Sequence, residues 1–110
     1  MIRFVLLWRQ DEIAGFLVEG HAGYGPRGRD IVCAGVSAIT QTAALALQYW
    51  LGEKVTVVRK SGFLKVVVSP ELGDGEKLRA ETIIQAVSLG VGDIAREYPK
   101  QLRVERGYLE

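Results

Sequence analysis

Apolar and polar positions divide this chain into seven blocks. Ile2 to Trp8 is a run of branched and aromatic side chains, Arg9-Gln10-Asp11 supplies a polar turn, and Glu12 to Gly20 resumes strand character, so the two blocks predict a β-hairpin. Strict alternation in the second strand sets Ile13, Gly15, Leu17, Glu19 and His21 on one face and Ala14, Phe16 and Val18 on the other. Asp30 is a good N-cap, and Ile31 to Leu51 predicts a helix that ends at Gly52. That helix is apolar on most sides and rich in alanine, which suggests burial on more than one face, with a subunit interface as one source of the cover.

Lys54 to Arg59 and Phe63 to Ser69 predict a second strand pair around Lys60-Ser61-Gly62, and Pro70 ends it. Asp74 is placed to cap a helix from about Gly75 to Glu97, where Ala80, Ile84, Val87, Val91, Ile94 and Tyr98 recur at helical spacing and Gly90 and Gly92 weaken the pattern locally. Pro99 stops the helix, and Leu102 to Arg106 alternates as a short charged strand suited to a sheet edge. The order ββαββαβ predicts an α+β, two-layer fold: one mixed β-sheet packed against two helices, in a single domain over residues 1–110.

Composition narrows the partners. The 110 residues suffice for one buried core, and a net charge of +1 provides no global field to attract nucleic acid or an anionic membrane, so direct nucleic-acid binding is not expected. One cysteine excludes an intramolecular disulfide, and with one histidine it cannot build a Cys/His zinc site, so neither metal nor cofactor is expected. No apolar run is read as a membrane span and no signal-peptide pattern follows Met1. A soluble, cytoplasmic protein is the expectation.

The only histidine and the only cysteine sit in one stretch, Gly20 to Cys33, which also carries Gly23, Gly25 and Gly28. Gly23-Tyr24-Gly25-Pro26-Arg27-Gly28 has the letters of a dinucleotide fingerprint, but the chain is too short for a doubly wound fold. The preceding strand is half of a hairpin, and Asp30 sets a carboxylate where a phosphate would bind. The glycines and Tyr24 suit either an ordinary surface loop or a lid that orders over an extended substrate.

Cys33, about three positions into the helix, lies where free N–H groups and the helix dipole favour a thiolate, although a buried structural cysteine fits the same position. A lone histidine is likewise more often structural. Together they describe a nucleophile with a general base that later protonates a leaving amine. Asp30 would orient the imidazole or cap the helix. Ser37, one turn beyond Cys33, would contact substrate or bond back to a carbonyl, and helix-start N–H groups would meet an oxyanion.

Gly20-His21-Ala22 followed by Asp30-Ile31-Val32-Cys33-Ala34-Gly35-Val36-Ser37-Ala38 closely resembles the ribosomal-processing cysteine protease family, Prp, and the resemblance extends over essentially the whole chain in length and element order. It implies a cytoplasmic, homodimeric bacterial endopeptidase. Its substrate would be the N-terminal extension of large-subunit ribosomal protein twenty-seven, its dyad His21 and Cys33, with a mobile loop between the two motifs. Asp30 and Ser37 match further positions of the second motif, and Gly23, Tyr24, Gly25 and Gly28 fall in the loop. Pro26, Arg27 and Arg29 depart from any fixed loop pattern. A non-catalytic peptide-binding or ribosome-assembly module is the alternative reading of the same groove.

Overall fold

The computed structural model describes residues 1–20 and 30–109. Its elements are β1 (Ile2–Arg9), β2 (Glu12–Gly20), α1 (Ile31–Leu51), a short 3-10 turn over Gly52–Lys54, β3 (Val55–Lys60), β4 (Phe63–Val68), α2 (Asp74–Glu97) and β5 (Leu102–Tyr108). The strands form one mixed sheet in the order β3-β4-β2-β1-β5. All neighbours are antiparallel except β1 and β5. The expected two-layer α+β architecture is therefore the one observed, with β5 at the edge its charged sequence suits.

Both helices contribute to a single core. Val32, Val36, Thr40, Ala43, Ala44, Leu47 and Leu51 form the buried stripe of α1, and Ala80, Ile84, Val87 and Val91 that of α2. Apart from Thr40, they share a cluster with Ile2, Phe4, Phe16, Leu64, Val66 and Leu102 from the sheet. Phe4 and Phe16 stack with ring centroids 5.7 Å apart. Each such large side chain, fully buried, contributes roughly 1.5–3 kcal/mol relative to exposure. Thr40 enters this apolar layer without penalty because its hydroxyl donates to the Val36 carbonyl at 2.8 Å.

Three expectations need correction. Strict alternation in β2 fails at its start: Leu7 pairs with Gly15 but Trp8 pairs with Ile13, so Ala14 is an extra residue. This bulge returns Ile13 to the helix-facing core beside Phe16. Secondly, α2 begins one residue early, with Gly73 as N-cap and Asp74 inside the first turn. Gly73 has no side-chain oxygen, and the cap consists of its N–H donating to Glu76 Oε1 at 3.0 Å. The helix then runs through Gly90 and Gly92. Thirdly, α1 with the following turn is long and apolar enough to cross a membrane. Its Ser, Thr and Gln residues interrupt the apolar string without adding charge. The buried stripe packs on the sheet and α2, while Leu45, Tyr49 and Trp50 remain exposed.

Two glycines are required by close approach. A Cβ on Gly15 would stand 1.9 Å from the Val66 carbonyl oxygen, so the β2–β4 pairing admits no side chain there. Gly20 has φ +96° and a Cβ would meet the Met1 carbonyl oxygen at 2.3 Å. Gly15→Ala is expected to lower stability by about 1–3 kcal/mol in urea unfolding. Gly75→Ala, in a helix and with open space around it, should be neutral or stabilising by up to about 1 kcal/mol.

Acid sensitivity has an identifiable contributor. A hydrogen bond from the Lys54 ammonium, helped by the Gly73 N–H, holds the Glu76 carboxyl below its ordinary value of 4.5. Because the folded value is the lower one, this pair stabilises the fold above about pH 4.5 and loses its effect as pH falls through the folded value. Glu76→Gln should therefore lose less stability than the parent between pH 6 and pH 3 when urea midpoints are compared.

Candidate active site

The first turn of α1 is built around one carboxylate. Asp30 is buried, adopts extended backbone, and accepts hydrogen bonds through Oδ1 from the N–H groups of Val32 and Cys33, both at 3.0 Å. Its own carbonyl accepts from Ala34 at 3.0 Å, which starts the helical ladder. Asp30 thus caps the helix. The same bonds correct the oxyanion expectation: the Val32, Cys33 and Ala34 N–H groups are committed to Asp30, so they are not donors awaiting a substrate.

Cys33 is half-buried as a free thiol and lines a cleft of about 180 Å³. One wall is α1, which presents Cys33, Ser37 and Gln41 at successive turns. The facing wall comes from the end of β2 at Gly20 and from the β3–β4 turn at Lys60, Gly62 and Phe63. Gly20 donates its N–H to the Gly62 carbonyl at 2.9 Å, which ties the two wall segments together. Ile2, Val18, Val36 and Leu64 make the floor apolar. Gly20, Gly62 and Phe63 also border a neighbouring depression that reaches Met1, Arg3 and Glu19.

Ser37 is exposed, and among the described residues its hydroxyl makes no hydrogen bond, unlike the back-bonded Thr40 and Thr42. A larger, more open groove of about 520 Å³ between α1 and α2 holds only Ala, Ile, Val and Thr side chains. Of these two, the Cys33 cleft is the one that carries a thiol, a hydroxyl and a carboxamide. Of the site residues expected from sequence, Cys33 and Ser37 line it and Asp30 supports it. His21, Gly23, Tyr24, Gly25 and Gly28 lie outside the described residues. Gln41, Lys60, Gly62 and Phe63 were not anticipated. Gln41 was within reach, since it continues the four-residue spacing of Cys33 and Ser37, whereas the turn residues reach the cleft only through strand pairing.

Residues 1–103 match the family model described as Cysteine protease Prp. The chain belongs to the Prp family of cysteine proteases. A Prp relative from Bacillus subtilis, the ribosomal processing cysteine protease Prp, is 32% identical over 94 residues, covering 84% of each chain. Among solved structures, the S. aureus ribosomal processing protease Prp with a covalently linked product peptide superposes with a TM-score of 0.82 at 24% identity, covering 96% of this chain and 99% of that one. The same S. aureus Prp with a substrate peptide gives 0.77 at 23% identity, with the same coverage. Membership of Prp makes this chain a hydrolase.

Removing the Prp helix cap tests what Asp30 does for the fold. Asp30→Ala should cost about 1 kcal/mol in urea unfolding and Asp30→Asn only a few tenths, because an amide oxygen still accepts from Val32 and Cys33.

Proposed function

We propose that this chain is an endopeptidase that removes the N-terminal extension of bacterial large-subunit ribosomal protein twenty-seven. The observation that carries the reading is the position of Cys33: a half-buried thiol, held by a capped helix start, on the wall of a cleft with an apolar floor. The B. subtilis relative is itself a ribosomal processing cysteine protease, and the S. aureus protein holds a covalently linked product peptide. Gly20, which precedes His21 in the chain, lines the same cleft as Cys33, and this supports His21 as the partner base.

In the proposed reaction His21 takes the Cys33 proton as Sγ attacks the scissile carbonyl carbon. Collapse of the tetrahedral adduct breaks the C–N bond, and the His21 proton passes to the leaving amine. Water then attacks the thioester, giving its proton to His21, and the carboxylate product leaves with the thiol restored. The tetrahedral oxygen must be met by donors other than the Val32, Cys33 and Ala34 N–H groups, which are engaged. A peptide contact through the Ser37 hydroxyl is part of the same reading, supported by its position on the cleft wall and by its lack of a hydrogen bond among the described residues. The reaction belongs in the cytoplasm, where ribosomes assemble. A homodimer is also part of this reading, supported by exposed Leu45, Tyr49, Trp50 and Leu89 on the two helices.

Incubation with the extended ribosomal protein, followed by intact-mass spectrometry, should show one cut that releases the extension. Cys33→Ala should show none, and His21→Ala should slow cleavage roughly hundredfold or more. Cleavage that persists with Cys33→Ala would sink the mechanism, and peptide binding without turnover by the parent chain would make it a binding module instead. Sedimentation at micromolar concentration checks the dimer.

A further inference from the structure

Beyond Cys33 and Ser37, the α1 wall of the cleft ends in a polar side chain whose orientation is set by a neighbour. Arg59 Nε donates to Gln41 Oε1 at 2.9 Å. A guanidinium has donors only, so the Gln41 carboxamide must turn its oxygen toward Arg59 and its NH2 group away from it. Thr40, the adjacent polar residue, is already bonded to the Val36 carbonyl. Arg59 forms no ion pair among the described residues, and Lys60 next to it lines the cleft as well. This end of the cleft therefore offers hydrogen-bond donors and positive charge.

We propose that Gln41, held by Arg59, is a specificity-determining residue that selects a substrate side chain bearing a hydrogen-bond acceptor, a carboxylate or a carboxamide. Gln41 stands eight residues beyond Cys33 on α1, about 12 Å along the helix. An extended peptide advances about 3.3 Å per residue, so the selected side chain is the third or fourth from the scissile bond. Lysine or arginine at that position meets like charge and no acceptor. This inference rests on the cleft being the peptide site of a protease, and it concerns a residue pair outside the two catalytic motifs.

The test uses peptides carrying the cleaved sequence, with Glu, Gln, Ala or Lys placed three or four residues from the scissile bond on either side. Two readouts are kept separate: kcat/KM with the full chain, and Kd with the Cys33→Ala chain by fluorescence anisotropy. At one position Glu and Gln should be favoured over Ala by about fivefold to tenfold, with Lys below Ala, in both readouts. Gln41→Leu should reduce the preference to less than about twofold. Gln41→Glu should turn it toward Lys, and Arg59→Ala, which frees the carboxamide to rotate, should weaken it. Turnover without any such preference, or a preference untouched by Gln41→Leu and Gln41→Glu, overturns the proposal and leaves the protease reading standing. A Gln41-dependent preference in Kd with no turnover of any peptide supports the subsite and overturns the protease reading.

Discussion

The buried carboxylate of Asp30 decides where α1 begins, and the position of Cys33 depends on that. A helix start leaves N–H groups without partners, and a single oxygen of Asp30 takes two of them while its carbonyl takes the first ladder bond. Cys33 is then on the first turn of a helix whose far side is locked into the core through Val32, Val36 and Thr40. Neither the cap nor the core suffices alone: the cap sets the register of the first turn, and the apolar stripe sets its rotation. A carboxylate so engaged also fixes the surroundings of the thiol, because the nearest amides are already bonded to Asp30.

The sheet supplies the other wall. Pairing of β4 beside β2 carries the β3–β4 turn to the end of β2, where the Gly20 N–H meets the Gly62 carbonyl. That pairing is possible because β2 carries no side chain at Gly15, where the Val66 carbonyl approaches, and the β1–β2 pairing likewise needs none at Gly20, where the Met1 carbonyl approaches. Of these two glycines Gly20 lines the cleft itself, so a close backbone approach forms part of the wall that faces α1. Arg59 extends the same logic, since it belongs to β3 and orients Gln41 on α1.

Much of this was legible without coordinates. The helix from Ile31 to Leu51 and its Asp30 cap follow from a cap residue, an apolar run free of charge and proline, and a terminal glycine, all local signals. The paired motifs around His21 and Cys33 pointed to the family that the comparisons show. The failures are also physical. Alternation is a local rule and cannot register a bulge imposed by a partner strand, so Ile13 was given the wrong face. The free N–H groups expected at the helix start were assigned to an oxyanion, although the same carboxylate already read as a cap takes them.

By itself, then, the sequence determined the element order, the capped start of α1 at Asp30 and the core stripe of α2, because these depend on residue type and short-range spacing. Strand order, the bulge at Ala14 and the union of Gly20, Gly62, Phe63 and Gln41 around Cys33 were decided only by tertiary structure. Those features arise from contacts between residues far apart in the chain, and their energy lies in backbone pairing and close approach that no local pattern encodes.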